Sequence, residues 1–193
     1  KSAPLNPPVR TLEGPSEIDV VMPEYGCPTA PTPDLLGAFS TRAHCSVLVD
    51  HFFNDINWMR QPFPQKSLRK SFEAFWDSGP KINAQNINIF ALLCNICAIA
   101  MLSVQHRLFP EGPRDRLKAA RRYHYAGRRA LLMSTIMGRE DVDQIVAWLV
   151  SCRFLLLDRR IGEAYTLGSS AVRAAFSIVV GRQALTQRGV GHL

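Results

Sequence analysis

From Ser40 onward, apolar residues recur at intervals of three and four, the period of helices with one buried face. Val47, Leu48, Phe52 and Ile56 mark a first helix, with Ser40 or Thr41 able to cap its start, running to about Met59. Pro62 and Pro64 break it, and Leu68, Phe72, Phe75 and Trp76 define one face of a second helix that ends before Ser78-Gly79-Pro80. A third is entered through Asn83 and stops near His106, where Pro110, Gly112 and Pro113 punctuate the chain. Pro113 suits the first position of a fourth helix, whose stripe is Leu117, Ala120, Tyr123, Gly127, Ala130 and Leu131, and Gly138 is its natural terminator. Asp141 caps a fifth helix reaching about Leu157, and Arg160 to Val180 forms a sixth that Gly181 stops. The pattern contains no strand alternation. It predicts an all-α bundle of about six antiparallel-packed helices over residues 40–182.

Residues 1–39 differ. They carry most of the thirteen prolines and no sustained apolar period, so they read as a Pro-rich, disordered linker or an arm draped over the bundle, and residues 183–193 read as a polar tail.

The third helix is apolar on nearly every side. Only Asn95 interrupts the run from Ile89 to Leu102, and those fourteen positions fall short of the ~20 that cross a bilayer, so this is the central helix of the bundle. Asn95 then needs a partner, because an unpaired buried amide costs roughly 1–3 kcal/mol. Cys94 and Cys97 lie one turn apart and share a side, as metal ligands do. The remaining cysteines at 27, 45 and 152 supply no second pair, and a redox pair needs an accessible helix start, so the pair reads as core.

Composition adds the setting. The chain has 193 residues, 47% hydrophobic and 20% charged, with no basic-then-apolar signal at Lys1 to Arg10. Its five cysteines lack framework spacing and argue for reduced thiols in the cytosol or nucleus. The net charge of +7 is concentrated: from Arg107 to Arg129 eight basic residues face only Glu111 and Asp115. Arg114, Lys118, Arg121, Arg122, Arg128 and Arg129 therefore form the expected basic contact surface, fit for nucleic acid or an acidic partner, or simply for a solvated helix face.

No catalytic constellation is legible. His44, His51, His106, His124 and His192 are scattered, and the chain has no phosphate loop, nucleophile elbow or His-Glu-x-x-His. Gly168-Ser169-Ser170 reads as a place where small residues let two helices approach, and Asp141 and Asp143 as a helix start. Tyr123, Tyr125 and Trp148 near the arginines have the makings of a base-stacking platform, although Tyr123 and Trp148 fall on apolar stripes. No enzyme, metal site or cofactor is expected.

LVDHFFNDINWMRQPFPQKSLRKSFEAFW (Leu48 to Trp76), NINIFALLCNICAIAML, AARRYHYAGRRALL (Ala119 to Leu132) and VDQIVAWLVSCRFLLLDRRIGEAYTLGSSAVRAAFSIVVGR (Val142 to Arg182) together resemble the fungal-specific transcription factor domain. This is the middle homology region that follows a fungal binuclear zinc cluster. The resemblance spans roughly residues 43–182 and rests on the order of the segments. It implies a nuclear regulatory domain in RNA polymerase II transcription, with coregulators or other domains of the same factor as partners, a small-molecule effector among its ligands, and nucleic acid contacted only indirectly or without sequence preference. Zinc belongs to a separate upstream module, since the Cys-x2-Cys-x6-Cys spacing is absent. The family continues into an arginine- and tryptophan-rich segment, whereas this chain becomes polar at GRQALTQRGVGHL, so an exposed apolar face and self-association are expected. Two other readings remain: a helical-repeat interaction scaffold, for which no ~34-residue repeat is visible, and an orphan helical domain binding a small molecule between helices.

Overall fold

A computed structural model describes residues 16–26, 31–58 and 63–190, with side chains described to residue 179. Among the described residues there are eight α-helices and no strand: α1 (Glu17–Val21), α2 (Pro31–Ala38), α3 (Arg42–His51), α4 (Gln65–Asp77), α5 (Ile87–Ser103), α6 (Pro113–Ile136), α7 (Val142–Leu157) and α8 (Ile161–Val190). The last six are the six helices that the periodicity predicts.

Local chemistry sets their ends. Thr41 caps α3, accepting from the His44 amide, while Ser40 instead receives the Tyr123 hydroxyl at 2.6 Å. α3 runs without a break into one wider turn, Phe52–Ile56, whose closing bond joins the Asn57 amide to the Phe52 carbonyl at 2.7 Å. Asn83 heads the turn before α5, accepting from the Gln85 and Asn86 amides, and the helix proper starts at Ile87. Gly138 ends α6 with φ of 64°, a left-handed conformation that costs glycine nothing. Asp141 caps α7 by accepting from the Gln144 amide at 2.8 Å.

α5 is the centre. Fourteen of its seventeen residues are buried, and it packs against α3, α4, α6 and α7. Antiparallel order follows from what its ends touch: Asn88, near its start, donates to the carbonyl of Arg139, just past the end of α6. α6 and α7 are antiparallel too, since Gln144 meets Ser134 at one end and Arg121 meets Asp158 at the other. Cys94 and Cys97 are fully buried with Cys45, as expected of core. Burial pushes the Cys94 thiol well above its ordinary value, and a contact with the Cys45 thiol, then burial, does the same for Cys97, so neither is a thiolate. No described helix is long and apolar enough to cross a membrane.

Three expectations are corrected. Residues 1–39 are not uniformly a loose arm: α1, the short 3-10 turn Met22–Tyr25 and α2 lie within them, and Ile18, Met22 and Leu35 are fully buried. Phe39 then stacks on Trp76 and meets Phe75, Phe90 and Tyr123 edge-on or tilted. Segments this short complete too few turns to show a period. Gly181 does not stop the last helix, which continues to Val190, so residues 183–190 are helical; a single glycine costs only about 1 kcal/mol and no proline follows it. Gly168 is not a point of close approach, because no atom of another element lies within 4 Å of where its Cβ would stand. Residues 1–15, Cys27, Met59, Pro62 and His192 lie outside the described residues.

Candidate functional site

α6 carries both the basic residues and a tight crossing with α5. At Gly127 a Cβ would stand 2.9 Å from the Ala91 carbonyl oxygen and 3.1 Å from Asn95 Nδ2, so α5 and α6 pass backbone to backbone. One turn away, Asn95 finds the partners it needs. Its amide donates to the Ala147 carbonyl at 3.3 Å, and its Oδ1 faces His124 Nδ1 at 3.2 Å. Since Oδ1 can only accept, Nδ1 carries the imidazole proton. Ser151 Oγ stands 3.5 Å from the same nitrogen, the ring stacks on Phe154 with centroids 4.5 Å apart, and Nε2 is buried without a partner. Burial, helped by the positive charges of Arg128 and Arg160 and opposed by Asp158 and Glu163, lowers the His124 pKa to about 4. His124 shares a stripe with Ala120, Gly127 and Leu131, and that spacing is the signal by which it is found in the sequence.

The outward side of α6 holds the six predicted basic residues, and the fold gives most of them an anchor. Arg121 grips Asp158 with two bonds, Nε at 3.0 Å and Nη2 at 2.8 Å, onto a carboxylate whose side chain is only 3% exposed. Hydrogen bonds to Asp158 raise the Arg121 pKa. Arg128 donates to Glu163 at 2.8 Å, and Arg160 binds the same carboxylate at 2.6 Å while also reaching the Tyr125 hydroxyl at 2.8 Å. Desolvation alone would raise Glu163, but its bonds to Arg128 and Arg160 hold it below its ordinary value. Arg122 donates to the Gly37 carbonyl, Arg129 stands 3.9 Å from Asp34, and Lys118 pairs with Asp115 at 3.1 Å within α6. Arg114 is exposed at the start of the helix.

These anchors shape a groove of about 400 Å3 between α2 and α6, lined by Lys118, Arg121, Arg122 and Arg129, with Asp34 as its acidic member and Tyr125 on its wall. Four of the six predicted residues thus converge on one opening. Arg128 is turned toward α8, and Arg114 lies apart. The stacking platform is not assembled: Tyr123 and Trp148 are buried at 3% exposure and only Tyr125 reaches solvent. The sequence does not single out the acidic partners Asp34, Asp158 and Glu163, since each lies outside α6, tens of residues from the arginine it meets.

Among the described residues no three His, Cys, Asp or Glu side chains are placed to hold a metal ion. Comparison with known protein families, curated proteins and solved structures returns no match to this chain.

Proposed function

We propose that this chain is a helical regulatory domain of a fungal transcription factor, acting in the nucleus in RNA polymerase II transcription without reading DNA itself. The segment order from Leu48 to Arg182 motivates the family, and any zinc then sits in a separate DNA-binding module. The observation that carries the reading is the groove between α2 and α6. A base-reading helix must present free side chains to base edges. Here Arg121 is committed to Asp158, Arg122 to the Gly37 carbonyl and Arg129 faces Asp34, so α6 is braced on both sides by its own chain. The residual positive field of Lys118, Arg121, Arg122 and Arg129 suits an acidic segment of a coregulator or of another domain of the same factor.

Fluorescence anisotropy with labelled duplexes of unrelated sequence, titrated at low and physiological salt, tests this. Weak binding that ignores sequence and disappears with salt is expected, because phosphate attraction alone falls steeply with counterion concentration. Sequence-dependent binding that survives physiological salt would make α6 a reader and overturn the proposal.

A further inference from the structure

α8 has two apolar seams. Ala164, Leu167, Ala171 and Ala174 alternate at three and four residues and are buried. A second set, Ile161, Tyr165, Gly168, Val172, Ala175 and Val179, repeats the same alternation on another side of the helix. Its large members are bare: Ile161 is 69% exposed, Tyr165 84%, Val172 55% and Val179 52%, with Phe176 beside them at 66%. α7 repeats the theme with Val142, Ile145, Leu149, Cys152 and Leu156, each exposed or half-buried. No charged residue occupies a seam position. Arg173 lies off it, donating to Ser169 and Ser170, and Glu163 is held by Arg128 and Arg160.

We infer that this face is where two copies of the chain pair, their α8 helices antiparallel across a two-fold axis. Spacing of three and four over this length is that of a coiled-coil seam. The order of sizes selects both the partner and its direction. In an antiparallel pair Tyr165 lies against Ala175 of the second copy, Val172 against Gly168, and Ile161 against Val179, so that two of the three layers set a large side chain over a small one. The open space over Gly168 is what Val172 of the second copy fills. A parallel pair would stack Tyr165 on itself and leave glycine opposite glycine, a clash followed by a gap. A two-fold contact needs a self-complementary patch, and this seam is one.

The area is sufficient. With an aromatic side chain covering ~150–250 Å2, the exposed α8 residues offer roughly 600 Å2 per copy, and a pair buries about 1,200 Å2, the lower end of stable interfaces. The inference stands whether or not the chain acts in transcription.

Sedimentation of the full chain at micromolar concentration reads the state directly. A dimer is expected, and Val172→Glu with Phe176→Glu is expected to shift it wholly to monomer while helical circular dichroism is unchanged. A wild-type monomer, or a dimer that survives the double substitution, would overturn the inference. Should the double variant fail to fold, disulfide capture decides. Chains carrying Gly168→Cys and Val172→Cys, each with Cys27→Ser and Cys152→Ser, are mixed and oxidised. Cross-linking of the two different chains in preference to either alone supports the antiparallel register, and preferential self-linking of each overturns it.

Discussion

Gly127 lies where α5 and α6 pass backbone to backbone, and its missing side chain is the condition for that approach. Ala is the better helix former by about 1 kcal/mol. A methyl here, however, meets the Ala91 carbonyl at 2.9 Å, and backbone in a packed central helix cannot give way. Overpacking costs about 1–3 kcal/mol, so Gly127→Ala is expected to lower the denaturation midpoint. A neutral or raised midpoint would show that the crossing has slack. Arg159 poses the opposite case: it is the one described non-glycine residue with positive φ, at 60°, in the turn between α7 and α8. The left-handed conformation costs a side chain roughly 1–2 kcal/mol, and glycine's extra unfolded-state freedom returns about half of that. Arg159→Gly is therefore expected to stabilise by roughly 0.5–1 kcal/mol and to raise the melting temperature by roughly 1–4 °C for a chain of this size.

His124 makes stability depend on pH. Its folded pKa of about 4 lies below the unfolded value near 6.5, so the unfolded chain takes up the proton first. The contribution is complete above the unfolded value and is lost as pH falls toward the folded one, at most roughly 3 kcal/mol across that window. Melting measured from pH 7.5 down to pH 5 should fall in the wild type. In His124→Gln, which has nothing to titrate there, the curve should be flatter, and parallel curves would assign the pH dependence to other groups. Glu163, held low by Arg128 and Arg160, adds a loss of the same sign only at more acid pH.

At the scale of elements, length decides what is stable alone. α2 has eight residues, too few for a helix that persists unaided. It is held through Leu35, through the Asp19 carboxylate that accepts from Thr32 Oγ1 at 2.6 Å, and through Arg122 and Arg129 of α6. Leu35→Ala removes a fully buried anchor, a change that costs about 2–5 kcal/mol in a core. The expected result is faster amide exchange confined to α1 and α2, with α5 to α7 unaltered. Uniformly faster exchange would mean that α2 is part of the global folding unit.

The same reasoning separates what the sequence makes legible from what it hides. α4, α6 and α7 repeat an apolar face over several turns, so Leu68 with Phe72 and Phe75, or Ala147 with Phe154, announce helices and their buried sides, while α5 shows itself as an almost unbroken apolar run. α1 and α2 complete one or two turns and announce nothing. The wider turn at Phe52–Ile56 keeps helical spacing and is hidden inside it. At the groove, Arg121, Arg122 and Arg129 are legible as charge, yet their anchors are set by tertiary contact: Asp158 is distant in the chain, and the Gly37 carbonyl has no side-chain identity at all.

For the whole molecule, α5 is the central element of the packing. α3, α4, α6 and α7 all pack on it, and α8 packs chiefly on α7, with Glu163 also paired to Arg128 of α6. Opening α8 therefore exposes one seam of Ala164, Leu167, Ala171 and Ala174, whereas exposing α5 requires the entire bundle to separate. Native-state hydrogen exchange should divide accordingly. Amides of α5 should exchange only through global unfolding, with a denaturant dependence equal to that of the full transition. Amides toward the end of α8, beyond the length that α7 can cover, should exchange through smaller openings with little denaturant dependence. If α5 exchanged with α8 in one step, the chain would be a single cooperative unit, and the order of attachment read from the packing would not govern its fluctuations.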